Sequence, residues 1–117
     1  MRVIYVNNAT NFIPLGYDGE SLAEVVRFDL WDLFKLKDPE GTFSLVYYRN
    51  GDTEPQTTYI ENDDEFVTWT ITDTNVAKVG NGKCQLVYTL EGGELPDTIA
   101  KSKIYRTEVY ESLVGGE

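Results

Sequence analysis

The sequence predicts an all-β domain, a single antiparallel β-sandwich of the immunoglobulin-like type with about seven to eight strands. Apolar and polar residues alternate in short runs along the chain, and turn residues separate the runs at spacings of roughly 8–12 residues. No segment keeps a sustained helical periodicity. A length of 117 residues fits one domain. We expect the sandwich to span residues 1–113, with 114–117 as a flexible end or the start of a linker.

Residues 2–6 form the first predicted strand, which the two asparagines that follow it end. Residues 11–15 form a second apolar segment. Because Pro14 has no backbone N–H, we expect it at a sheet edge or beside a bulge. Residues 24–30 alternate clearly and form a third strand, with Val26, Phe28 and Leu30 on one face. Residues 31–37 either extend this strand or form a helical turn, and the turn-rich residues 38–41 end it.

The middle of the chain contains three further predicted strands, at residues 43–49, 57–61 and 66–72. Asn50 and Gly51 follow the first of these and favour a hairpin turn, since both residues accept positive φ at low cost. In the last of these strands apolar residues alternate with threonines, which is typical of a sheet with one wet face.

The C-terminal part contains two predicted strands, at residues 82–90 and 98–110, separated by a Gly- and Pro-containing loop at 91–97. We expect residues 73–79 to form at most one helical turn, with Val76 and Val79 packed beneath it. Gly80 and Gly82 are expected to allow positive φ at a turn. Cys84, Leu86, Tyr88 and Leu90 alternate on the face that is predicted to point inward.

The net charge of −10 arises from 20 acidic and 10 basic residues. Such a surface repels phosphate backbones and anionic membranes, so we expect no nucleic-acid and no membrane partner. The sequence has no leader pattern and no apolar run near the roughly 18 residues of a spanning helix, so synthesis and folding in the cytoplasm are expected. The single cysteine, Cys84, excludes an internal disulfide, and its position predicts a buried thiol.

The chain has no histidine, which removes the commonest general base and the imidazole metal ligand. One alternative is a carboxylate pair of the glycosidase kind, from Asp29, Asp32 or residues 63–65. Another alternative is a calcium site in the loops. Its candidate oxygen ligands are Asn62, Asp63, Asp64 and Asp73. Because carboxylates on polar faces and in loops are usually solvated, we predict no catalytic residue, no metal ligand and no cofactor, with calcium binding left open.

The aromatic and basic residues suggest contacts with a partner. Tyrosine is enriched at interfaces because it buries a large area and keeps a polar tip. We predict that Tyr48 and Tyr110, on outward positions, contact a partner. Lys101, Lys103 and Arg106 form a basic stripe on the last predicted strand. This stripe either meets an acidic partner surface or protects an edge strand from pairing, and the second interpretation is preferred.

Three segments resemble the N-terminal β-sandwich domains of phage and prophage tail and baseplate proteins. They are IPLGYDGESLAEVVRFDL at 13–30, TWTIT followed later by VGNGKCQLVY, and KSKIYRTEVYESL at 101–113. The pattern is similar to the baseplate upper protein N-terminal domain family of phages infecting Gram-positive bacteria.

This resemblance implies a non-enzymatic structural module of the virion, made in the host bacterial cytoplasm. It would dock onto other tail or baseplate proteins, as a trimer or dimer in some settings, and present a receptor-binding segment. An alternative is an immunoglobulin-like carbohydrate-binding accessory module that uses exposed Tyr or Trp as stacking platforms.

Overall fold

The computed structural model describes residues 2–20, 24–36, 40–90 and 98–113. This part of the chain contains nine β-strands and one short helix, α1, which spans Leu30–Phe34. The strands are β1 Arg2–Val6, β2 Phe12–Tyr17, β3 Glu24–Asp29, β4 Thr42–Tyr48, β5 Tyr59–Asn62, β6 Phe66–Thr70, β7 Gly80–Leu90, β8 Thr98–Lys101 and β9 Tyr105–Tyr110. The prediction of a mostly β chain is therefore confirmed.

The strands form two sheets. The four-stranded sheet has the order β1-β3-β6-β5, and the five-stranded sheet has the order β2-β9-β7-β4, with β8 also paired to β7. β1 runs parallel to β3, and β2 runs parallel to β9, whereas the other pairs are antiparallel. The prediction of purely antiparallel pairing is thus wrong, and the immunoglobulin-like part of it is not confirmed. Alternation along a strand specifies its inward face but carries no information about the direction of its neighbour.

The inward faces of the two sheets share one hydrophobic core. Across the interface, the ring centroids of Tyr47 and Trp69 lie 5.0 Å apart, and those of Phe28 and Tyr105 lie 6.0 Å apart. All four side chains are fully buried. Each burial of this kind contributes roughly 1.5–3 kcal/mol, so these rings hold the sheets together.

The end of β3 resolves the alternative left open for residues 31–37. The strand stops at Asp29, whose side chain accepts a hydrogen bond from the Asp32 N–H at 3.0 Å and so caps α1. Lys35, in the left-handed conformation with φ 56°, ends the helix. Leu30 is buried as expected, although it belongs to the helix and not to the strand.

The predicted single strand at 98–110 is interrupted between β8 and β9. Ser102, in the gap, is buried, and its N–H donates to the Leu86 carbonyl at 2.9 Å. Its Oγ accepts from the Leu86 N–H at 3.0 Å, where a backbone carbonyl would accept in a continuous ladder. This side chain therefore shifts the pairing and breaks the strand.

Three smaller expectations had mixed outcomes. The pairing register of β2 shifts between Pro14 and Gly16, which confirms the bulge expected beside Pro14. Val76 is buried as predicted, but Val79 is 40% exposed, so its predicted packing is wrong. Gly80 has a positive φ of 120°, but it begins β7, and Gly82 lies inside that strand and not in a turn.

Several expectations fall outside the described residues. They concern residues 38 and 39 of the terminator at 38–41, the loop at 91–97 and the chain end at 114–117.

Candidate functional site

The outer face of the five-stranded sheet carries a cluster of aromatic and basic side chains. Because Tyr47, Cys84 and Tyr105 are buried, their strand neighbours point away from the core. We call this surface the basic aromatic face. It consists of Phe12, Tyr17, Tyr48, Lys83, Arg106 and Tyr110.

The strand register places four of these side chains in one row across the sheet. Phe12 pairs with Arg106, Arg106 with Lys83, and Lys83 with Tyr48. The Arg106 guanidinium carbon lies 4.8 Å from the Phe12 ring centroid, and the Lys83 Nζ lies 5.4 Å from the Tyr48 ring centroid. Each cation thus rests on a ring, a contact worth about 0.5–1 kcal/mol at an exposed site. The row holds two positive charges side by side on a chain that is acidic overall.

Tyr17 and Tyr110 pair two outward rows further along the sheet, beyond the row of Pro14, Glu108 and Asn81. Their ring centroids are 5.7 Å apart, and Tyr17 is 53% exposed. Partial burial raises the pKa of Tyr110, and the nearby Glu108 carboxylate acts in the same direction. The face therefore combines large aromatic area with fixed cations, the composition found at the centres of protein interfaces.

Of the residues predicted to contact a partner, the structure brings Tyr48, Tyr110 and Arg106 together on this face. Exposed Lys101 lies on β8, paired with Val87, and points to the same side of the sheet. Lys103 lies apart, in the gap between β8 and β9. Its ammonium donates to the Asn8 carbonyl and to Asn11 Oδ1, each at 2.9 Å.

The preferred interpretation of the basic stripe as edge protection does not hold for Arg106. Its strand, β9, has β2 on one side and β7 on the other, so it is not an edge. The sequence could not show this, because the parallel partner β2 lies far away along the chain.

A second surface feature is a cleft of about 490 Å³ where α1 meets the start of β6. We call it the Trp31 cleft; it is lined by Asp29, Trp31, Leu36, Asp64, Glu65 and Phe66. The Leu30 N–H donates to the Glu65 carbonyl at 3.0 Å, which fixes the helix against the loop. Trp31 is 58% exposed.

Sequence reasoning missed the Trp31 cleft. The available signal was Trp31 itself, a large aromatic residue directly after the predicted strand at 24–30. It does not fall on the alternate positions that form the buried face of that strand. The carboxylate loop that also lines the cleft lies more than thirty residues away in sequence, so its position near Trp31 depends on the fold.

Three of the carboxylates named as candidate catalytic or calcium-binding residues, Asp29, Asp63 and Asp73, accept local backbone hydrogen bonds. Asp63 Oδ1 accepts from the Glu65 and Phe66 N–H groups, both at 2.8 Å, and these bonds lower the pKa of that carboxyl. Asp73 Oδ1 accepts from the Thr74 N–H at 2.8 Å. Among the described residues, no three or more His, Cys, Asp or Glu side chains are grouped closely enough to hold a metal ion. Within the same ranges, no helix has the length and apolarity to span a membrane.

Comparison with known proteins gives a likeness in fold. No family model matches the sequence, and no curated protein matches it significantly. Among solved structures, the N-terminal domain of phage TP901-1 ORF48 aligns with a TM-score of 0.58 at 10% identity. The alignment covers 94% of this chain and 99% of that one. This chain has the fold of a phage protein domain. The phage likeness expected from the sequence is thereby confirmed at the level of the fold.

Proposed function

We propose that this chain is a non-enzymatic structural module of a phage or prophage tail or baseplate. In this proposal it is made in the bacterial cytoplasm, joins the virion by docking onto other virion proteins, and presents a receptor-binding segment. The observation that carries the proposal is the fold shared with a phage domain over nearly the full length of both chains. The tail and baseplate resemblance of residues 13–30 and 101–113 supports the same role.

The basic aromatic face is the surface we propose for docking. Arg and Tyr are enriched at the energetic centres of interfaces, and here Arg106 and Lys83 are already held against rings. Less side-chain entropy is then lost when a partner binds. The two adjacent cations favour an acidic partner surface. Copies of this chain in a dimer or trimer are among the candidates.

Deletion and complementation test the role. In a strain that carries the gene in its phage or prophage, we expect deletion to abolish infectious particles while capsids still form. Supplying the chain in trans should restore the titre. An unchanged titre and unchanged particles after deletion would contradict the proposal.

Charge-reversal variants test the docking face. Arg106→Glu should reduce incorporation into particles about tenfold, as expected for the loss of an interface arginine. Glu61→Lys, on the exposed part of β5 in the other sheet, changes the charge by the same two units in the opposite direction and serves as the control for a charge reversal. Equal incorporation of both variants would place docking elsewhere.

The second candidate function is carbohydrate binding. The observation that favours it is the exposed ring of Trp31 at the rim of a cleft large enough for a small ligand. Calcium-dependent glycan binding by an isolated monomer, together with absence from particles, would support this candidate over the first.

A further inference from the structure

The Trp31 cleft has the shape and composition of a binding site for a side chain or a small ligand. Its volume of about 490 Å³ lies within the range of such sites. Trp31, Leu36 and Phe66 supply apolar walls. More than half of the Trp31 side chain is open to solvent, although burying an indole is favourable.

Carboxylates outnumber cations around the cleft, since three line it and two cations of this chain, Lys35 and Arg27, lie against its rings. Asp29, Asp64 and Glu65 line it, and the last two are exposed. A phosphate, a sulfate or an acidic sugar would therefore be repelled, whereas a cation would be attracted.

The rings of the cleft already accept cations from this chain. The Lys35 Nζ lies 5.6 Å from the Trp31 ring centroid, and the Arg27 guanidinium carbon lies 5.9 Å from that of Phe66. An aromatic ring has two faces that attract positive charge, and the exposed area of Trp31 leaves ring surface for a further group.

We propose that the Trp31 cleft binds an exposed arginine side chain of a partner protein. A guanidinium can stack flat on an indole while its N–H groups pair with carboxylates, which an ammonium cannot do equally well. Asp64 and Glu65, which line the same cleft as Trp31, provide those carboxylates. This inference depends on the cleft alone and not on the virion role.

Titration with a tetra-arginine peptide tests the proposal by calorimetry and by tryptophan fluorescence. Trp69 is fully buried, so a change in emission on binding reports Trp31. We expect saturable binding that weakens as salt is added, with affinity at least tenfold higher than for tetra-lysine. Trp31→Ala should weaken binding about tenfold or more.

Two double variants separate a site from diffuse attraction. Asp64→Asn with Glu65→Gln removes two negative charges at the cleft, and Glu54→Gln with Glu61→Gln removes two elsewhere. All four side chains are exposed, so both proteins should fold, which circular dichroism would verify. We expect the first double variant to lose about tenfold in affinity and the second to stay within about twofold.

Equal losses in the two double variants would overturn the proposal, because they would show attraction to the net charge alone. It would also be overturned if tetra-arginine failed to bind, or if a neutral N-acetylglucosamine trimer bound in its place and lost affinity in Trp31→Ala. The last result would assign the cleft to a glycan.

Discussion

Individual buried polar groups connect the core to the loops, and Asn75 is the clearest example. Its side chain is fully buried; its amide donates to the Thr57 carbonyl at 3.1 Å, and its Oδ1 accepts from the Thr72 N–H at 3.1 Å. Its carbonyl accepts a 2.7 Å hydrogen bond from the Tyr47 hydroxyl. One residue thereby fixes the segment before β5, the turn after β6 and a core tyrosine.

Removing the Tyr47 hydroxyl leaves the Asn75 carbonyl without this buried donor. We expect Tyr47→Phe to lower the free energy of unfolding by about 1–3 kcal/mol. Urea unfolding followed by circular dichroism measures the change. Tyr88→Phe is the comparison, because the Tyr88 hydroxyl accepts from Gly41 in a partly buried position and should matter less. A larger loss for Tyr88→Phe than for Tyr47→Phe would contradict this account.

The buried thiol of Cys84 predicts a dependence of stability on alkaline pH. Burial raises the pKa of the Cys84 thiol from an ordinary 9.0 to about 12. Above pH 9 the unfolded chain gains thiolate while the folded chain stays protonated, so the free energy of unfolding should fall as the pH rises toward 12. Urea unfolding across this range should show a smaller fall for Cys84→Ala than for the native chain. If the free energy of unfolding fell equally steeply with pH in both proteins, burial would not be holding the Cys84 thiol in its protonated form.

At the scale of the elements, β7 pairs with three other strands, β4, β8 and β9. It needs a glycine at position 82, where Tyr48 of β4 and Thr107 of β9 both lie close to its backbone. A Cβ at Gly82 would lie 2.8 Å from the Thr107 Oγ1 and closer still to the Tyr48 carbonyl oxygen. We expect Gly82→Ala to cost about 1–3 kcal/mol through overpacking. Asn81→Ala, at an exposed neighbour on the same strand, should change stability by less than about 0.5 kcal/mol. Thermal unfolding compares the two variants, and similar stabilities would argue against close packing at Gly82.

The turn after β4 is connected to the segment before β7 through Asp52. Its carboxylate pairs with Arg49 at 2.8 Å and with Lys78 at 2.9 Å, and the hydrogen bonds from these two cations hold its pKa well below the usual range. A lowered pKa contributes stability above the ordinary carboxyl value of 3.8 and loses that contribution as the pH falls below it.

Asp52→Asn should therefore lower Tm at neutral pH, and the difference from the native chain should shrink below pH 3.8. Glu54→Gln, an exposed neighbour, serves as the control and should leave Tm unchanged. A Tm difference for Asp52→Asn that stayed constant down to low pH would exclude an electrostatic cause.

The elements also show what can be predicted from the sequence. Alternation around Trp69 and Cys84 correctly predicted strands and inward faces, because burial of one face imposes a period of two. The parallel pairs and the break at Ser102 were not predictable, because they depend on partners distant in sequence. The same period of two correctly predicted that Tyr48 and Tyr110 point outward. Their arrangement on one face with Phe12 and Arg106, and the Trp31 cleft, depend on the fold.

At the scale of the whole molecule, the two sheets present surfaces of different chemistry. The outer side of the five-stranded sheet carries Arg106 and Lys83 against aromatic rings, and the Trp31 cleft beside the other sheet is lined by carboxylates. A domain with opposite charges on separate surfaces can contact two partners at once, as an assembly module requires. This arrangement and the fold shared with a phage domain support the structural role proposed above.

Quantitative mass spectrometry of gradient-purified particles tests that central claim most directly. The account predicts that this chain is present in particles from the strain that encodes it, in a fixed ratio to the tail proteins that persists through repeated purification. Expression of the chain in the same cells without its presence in the particles would contradict the account.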